Sequence, residues 1–260
     1  MAKNKSMNFT VTFPLTLNFR NKCSLTFDLS KKKTEFAQTF PEGFYYIEGS
    51  NGSGKSSFLS MLALLAGSIG KRDEKKFGGI QFSEYLYSHN EFDINEAATI
   101  REKYFCIFTQ EVFFLPGITT LKNYSIFNET GKTSNIPENE YPNLLSGGQQ
   151  QNRYIQMIFQ PKKSVWFLDE PFNNMDNNNK LVFWELLKKI VSKPSKTFFL
   201  IDHSMNNHIK DEYFEHYEDI VTTISNNDQN ENSIIAIYKA KHPKSFVEKE
   251  IMELKTNLIN

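Results

Sequence analysis

The residues Gly49-Ser50-Asn51-Gly52-Ser53-Gly54-Lys55-Ser56 fit the pattern G-x-x-x-x-G-K-[ST]. Glycines at these places let the backbone curl until successive N–H groups point at phosphate oxygens, and a helix starting there presents its positive end to the same charge. Lys55 is expected to reach the β- and γ-phosphates and Ser56 to hold Mg²⁺, with Ser57 completing the nucleotide-binding set. With glycine near 7% of residues, chance supplies this pattern in roughly one chain in a hundred of this length. A dinucleotide loop is excluded because G-x-G-x-x-G would need a third glycine where Ser57 stands. Guanine specificity would need N-K-x-D, and none of Asn4-Lys5, Asn21-Lys22 or Asn179-Lys180 has Asp two residues later. ATP is the expected nucleotide.

Two further groups carry chemistry. Leu145-Ser146-Gly147-Gly148-Gln149 reads as a helix start, with Ser146 as N-cap and paired glycines that allow the backbone to lie against a ligand. Twenty residues after Gln149, the run Val165-Trp166-Phe167-Leu168 ends in Asp169-Glu170-Pro171. Asp169 and Glu170 are thus adjacent carboxylates at the end of an apolar run.

These residues need a scaffold. Phe44 to Ile47 is a short apolar run leading into the glycine-rich loop, and Phe58, Met61, Leu62 and Leu65 then recur at helical spacing: strand, loop, helix. The runs 165–168 and 198–201 are apolar at every position and end on Asp169 and Asp202, as expected of parallel strands buried on both faces. Leu181, Trp184, Leu187, Lys188 and Val191 between them predict a mostly amphipathic helix, so the functional groups fall at the carboxyl ends of the strands of a βαβ unit. At the start of the chain, Met7 to Phe19 and Ser24 to Leu29 alternate as half-buried antiparallel strands, with Lys31 to Lys33 as a solvated turn. Near the end, Ile220 to Ile224 and Ile234 to Tyr238 predict a hairpin around a polar loop, Ser225 to Ser233. Val247, Ile251, Leu254 and Leu258 predict a closing helix.

Composition narrows the class. In 260 residues, 30 Lys+Arg balance 30 Asp+Glu, which argues against a protein that coats nucleic acid, and the hydrophobic fraction of 39% is enough for a buried core. The longest uncharged apolar stretch, Ser56 to Gly70, has 15 residues, short of the roughly 20 that span a bilayer. The N-terminal Met-Ala-Lys-Asn-Lys-Ser has no apolar run behind it, so no secretory signal is expected. Cys23 and Cys106 form neither a disulfide framework nor a metal-ligand spacing, which fits a cytosolic setting. The 26 Asn, 24 Phe and the excess of Lys over Arg, 26 to 4, match A/T-rich codon usage, so the Asn runs are not read as a binding signal.

From about residue 24 onward, the order of phosphate loop, Leu145-Ser146-Gly147-Gly148-Gln149 and Asp169-Glu170-Pro171 resembles the ATP-binding cassette (ABC) ATPases. The resemblance implies an α/β fold: a P-loop NTPase (RecA-like) core with a mixed sheet, an N-terminal antiparallel β subdomain and a small, shortened helical subdomain. It implies a single domain over 1–260, with 111–160 as the helical and signature part. Asp169 would be the Walker B aspartate, Glu170 the catalytic glutamate, Gln110 the Q-loop glutamine that senses Mg²⁺ and the attacking water, and His203 the switch histidine. Met175-Asp176 would be the D-loop at a dimer interface. Ser146, Gly147, Gly148 and Gln149 would contact ATP bound to an opposing subunit, either a second copy or a related ATPase. Phe27, with Phe19 as competitor and Phe13 behind them, is the candidate to stack on adenine, beside the alternative that all are core residues.

The function implied is an ATP-hydrolysing subunit that powers separate transmembrane permease chains from the inner face of the membrane, with no nucleic-acid partner. A soluble ATPase acting in assembly, such as iron-sulfur cluster assembly, shares every motif. Long coiled-coil DNA-repair ATPases are disfavoured, since only 91 positions separate Lys55 from Ser146. Two departures stand out: a short interval between Gln110 and Leu145, and a polar, aromatic-rich insert around Lys71 to Asn95.

Overall fold

The structure, a computed structural model, describes residues 9–18, 23–30, 37–65, 79–82, 85–88, 94–108, 114–115, 117–127, 136–159, 162–173, 175–203, 207–226 and 229–259. The first half of the chain forms strands Phe9–Thr12 (β1), Leu15–Asn18 (β2), Cys23–Leu29 (β3), Ala37–Phe40 (β4) and Gly43–Gly49 (β5), then helix Lys55–Leu62 (α1). Strands Gly79–Phe82 (β6) and Tyr85–Ser88 (β7), helix Ile94–Tyr104 (α2), strand Phe105–Phe108 (β8) and helix Thr120–Phe127 (α3) follow. The second half contains helix Gly147–Ile158 (α4), strand Val165–Asp169 (β9), helix Asn177–Val191 (α5) and strand Thr197–Ile201 (β10). Helix Asn207–Tyr213 (α6), strands Phe214–Asn226 (β11) and Gln229–Ala240 (β12), and helix Pro243–Ile259 (α7) complete it.

An eight-stranded sheet runs in the order β2-β3-β11-β12-β5-β10-β9-β8. Its half from β5 to β8 is parallel, with Phe199 of β10 in register with Tyr45 of β5 and Phe167 of β9. The other half is antiparallel. The uninterrupted apolar runs are explained by two cores. Tyr45, Ile47, Phe167, Phe199 and Ile201 enter one with Phe58, Met61 and Leu62 of α1. The alternate residues Phe44, Tyr46, Trp166, Leu168, Phe198 and Leu200 enter the other with α4, α5 and Phe246 and Val247 of α7. A side chain on either face is therefore removed from water, worth roughly 1.5–3 kcal/mol for each large apolar group.

Several expectations need correction. The strand over Met7 to Phe19 is two strands, broken at Pro14, which has no N–H for a ladder. β1 joins a second, four-stranded antiparallel sheet, β4-β1-β6-β7, which also takes in part of the insert after residue 71. Leu65 lies beyond α1 and is 48% exposed, so the helix buries only Phe58, Leu59, Met61 and Leu62 of its apolar residues. The polar segment Ser225 to Ser233 is mostly strand: β11 and β12 stay paired out to Asn226 and Gln229. Polar side chains suit the distal part of a hairpin because antiparallel strands tolerate a wet face. On α7, Val247 and Ile251 are buried as expected, whereas Leu258 is exposed.

Glu250 of α7 faces Asp202 and Glu253, with Lys249 and Lys180 opposing. Burial first, then the two carboxylates, pushes its pKa up from 4.5 to about 7. A folded-state value above the unfolded one means that the native state holds a proton the unfolded chain releases. The stabilisation from this group is thus complete below about pH 4.5 and lost as pH rises through about 7. Glu250→Gln is expected to raise stability at pH 8 by about 2–3 kcal/mol and leave it unchanged at pH 4.5. Urea unfolding at both pH values checks this, and an equal shift at both would refute it.

Candidate functional site

The glycine-rich loop leaves the carboxyl end of β5, the strand flanked by β10 and β12. Two of its glycines are dictated by geometry. A Cβ on Gly49 would stand 2.7 Å from the Ser53 hydroxyl oxygen, and Gly54 has φ +88° with Phe27, Leu25 and Thr222 at 3.3–3.4 Å from where its Cβ would be. Gly54→Ala is expected to destabilise the fold by about 2 kcal/mol, because it combines a left-handed backbone with crowding. Thermal unfolding reads this out, and an unchanged midpoint would contradict it.

Gly54 starts α1 without a side-chain cap, so the first N–H groups of the helix face outward as donors for an anion. Lys55 is 5% exposed and donates from Nζ to the carbonyls of Gly49 and Ser50 at 2.8 and 2.9 Å. Burial draws its pKa down, and the Glu170 and Asp169 carboxylates push it back up.

Asp169 ends β9, and its Oδ1 accepts the Ser56 hydroxyl at 3.1 Å. Burial raises its pKa, the Ser56 hydrogen bond opposes that shift, and the neighbouring Glu170 adds to it. Glu170 has φ +46°, a conformation costly for a glutamate, and its N–H donates to the Ile201 carbonyl at 2.8 Å. This bond ties the Glu170 backbone to the end of β10. Glu170 Oε1 lies 2.9 Å from His203 Nε2, and its Oε2 accepts from Asn173 Nδ2. The groups meet in a cleft of about 490 Å³ lined by Asn51, Gly52, Gly54, Lys55, Ser56, Ser57, Glu170 and His203. Its apolar wall is Leu25 and Ile224, directly paired across β3 and β11.

The second group lies elsewhere. Ser146 caps α4 in a reciprocal box: its hydroxyl accepts from the Gln149 N–H at 3.4 Å, and Gln149 Oε1 accepts from the Ser146 N–H at 2.9 Å. Ser146, Gly148 and Gln149 share a cleft of about 420 Å³ with Asp176, whose Oδ1 caps α5 through the Asn179 N–H at 2.7 Å. Asn179 Nδ2 donates to the Gly148 carbonyl, and Asn152 donates to Asn179 Oδ1. The two clefts share no lining residue.

The structure thus gathers Lys55, Ser56, Asp169, Glu170 and His203 in one place and Ser146, Gly148, Gln149 and Asp176 in another. Gln110 and Phe19 lie outside the described residues. Phe27 as adenine platform is corrected: it is fully buried, its ring 5.2 Å from that of Phe58. Phe13 is buried against the same ring. Sequence reasoning missed Asn173 and Asn179, because an Asn-rich composition hides them. It also missed Leu25 and Ile224, whose meeting is set by strand register.

The family model for ABC transporters matches residues 38–173. The chain belongs to the ABC transporter ATP-binding family. This ABC ATPase is 25% identical over 218 residues to the petrobactin import ATP-binding protein YclP of Bacillus subtilis, covering 79% of this chain and 78% of that protein. It is 27% identical over 178 residues to the lipoprotein-releasing system ATP-binding protein LolD of Buchnera aphidicola, covering 62% and 73%. A solved dimeric ATP-binding cassette in a post-hydrolysis state, bound to ADP and phosphate, shares the fold with a TM-score of 0.54 at 19% identity, over 75% of this chain and 88% of that one. No helix among the described residues is long and apolar enough to cross a membrane.

Proposed function

We propose that this ATPase closes head to tail with a second ABC subunit, a copy of itself, around ATP, and that closure and reopening drive a transporter whose permease is a separate membrane chain. The observation that carries this is the separation of the two clefts. The phosphate loop, Asp169, Glu170 and His203 form one half-site, and Ser146 to Gln149 with Asp176 form the other. In a two-fold dimer each half faces the complementary half of the partner.

Within the completed site, Lys55 and the loop N–H groups of 49–57 would hold the phosphates, and Glu170 would take the proton of the attacking water. His203 and Gln110 would border the γ-phosphate. Ser56 and Asp169 offer two hard oxygens at 3.1 Å, the donor set suited to a Mg²⁺ that takes the rest of its shell from phosphate and water. When bound, Mg²⁺ neutralises developing phosphoryl charge. The chain 1–260 would act as one domain, held at the inner face of the membrane by its permease and without a nucleic-acid partner.

A mixing experiment tests the shared site. Lys55→Ala and Ser146→Arg chains should each be inactive alone. Mixed, they should recover about a quarter of wild-type hydrolysis, since half the dimers are hybrid and each hybrid keeps one intact composite site. No recovery would refute the shared site. Affinity purification from the native host should recover a multi-span membrane protein, and recovery of soluble proteins alone would overturn the transport role in favour of an assembly ATPase.

A further inference from the structure

We infer that Asn173 is a positioning residue for hydrolysis, fixing the Glu170 carboxylate from the side opposite His203 while its own backbone is tied to helix α4. The inference rests on Glu170 being the group that activates water. A glutamate side chain has three rotatable bonds, and each alternative rotamer dilutes the productive one. Here both oxygens are committed: Oε1 to His203 Nε2 at 2.9 Å and Oε2 to Asn173 Nδ2.

The backbone supports the same geometry. The Asn173 N–H closes a turn onto the Glu170 carbonyl at 3.2 Å, so the amide cannot drift from the carboxylate it serves. On the far side, Gln151 of α4 donates from Nε2 to the Asn173 carbonyl at 3.3 Å. Gln151 is buried at 8% exposure, so this amide has little water to turn to if the contact breaks. A continuous chain of hydrogen bonds thus runs from α4, which Ser146 caps, through Gln151 and Asn173 to Glu170. A shift of α4 moves the Asn173 peptide and with it the donor on Glu170. The amide does this without bringing a further charge into the cleft.

Asn173→Ala is expected to lower kcat about tenfold, with ATP affinity within about twofold of wild type, because the contact orients a reacting group and does not touch the nucleotide. Asn173→Asp, equal in size, replaces the donor with a negative charge opposite Glu170 and should lose more, about a hundredfold. A merely space-filling role predicts the reverse order, the isosteric Asp being more active than Ala. Steady-state ATP hydrolysis, equilibrium ATP binding and the unfolding midpoint of each variant provide the readouts. Wild-type kcat for Asn173→Ala, or a more active Asn173→Asp, overturns the inference. Glu170→Gln in the same series separates the two readings. If it retains full activity, the role of Glu170 fails. If it is inactive while Asn173→Ala is not slowed, only the role of Asn173 fails.

Discussion

Lys55→Ala is expected to weaken ATP binding by about a hundredfold or more, some 3 kcal/mol, and to bring hydrolysis to background. Among the described residues lining the phosphate-loop cleft, Lys55 is the single Lys or Arg, and the Glu170 and Asp169 carboxylates act on its charge. Removing it leaves two carboxylates facing a polyanion with no counter-charge from the chain. The Nζ contacts to the carbonyls of Gly49 and Ser50 are also lost, so the loop that must present its N–H groups is held less firmly. Arginine is not a rescue: a planar fork does not fit a lysine channel that is 5% exposed. Isothermal titration with ATP gives the affinity, and a Lys55→Ala protein that binds ATP as wild type does would dismiss the phosphate-loop role.

The parts of this site visible in the sequence are those fixed by local chemistry. A loop that must curl around phosphate requires glycines and a lysine at set spacing, and strands covered on both faces require apolar runs, so 49–56, 165–170 and 198–203 declare themselves without tertiary information. What stayed hidden depends on contacts between distant segments. Alternation across Met7 to Phe19 is the same on either side of Pro14, so nothing local says that β1 and β2 join different sheets. The strand at 79–82 exists through pairing with β1, a partner some seventy residues away, and that at 85–88 through pairing with 79–82 in turn. Phe27 points inward, as its alternation requires, but inward is the shared core with Phe58 and not a ligand surface. The apolar wall of the cleft falls instead to Leu25, two positions earlier on the same face, opposite Ile224.

Glu170→Gln should reduce kcat by about 10²–10⁴, the range for removing a general base, while leaving ATP bound at least as tightly as in wild type. The amide keeps the size of the carboxylate and can still donate or accept toward His203 and Asn173, so the strained turn at Glu170 and its bond to Ile201 survive. Only basicity and negative charge are lost. Loss of charge removes a repulsion toward the γ-phosphate, and loss of basicity leaves the attacking water without a proton acceptor. Binding and turnover are thereby separated, in contrast to Lys55→Ala, which impairs both. On the proposed closure of two half-sites around ATP, a chain that binds but does not hydrolyse should remain closed, and light scattering at saturating MgATP should give the mass of a dimer. A monomer under those conditions would count against head-to-tail closure, and near-wild-type turnover would remove Glu170 from the chemistry, leaving His203 as the remaining candidate base at the carboxyl end of β10.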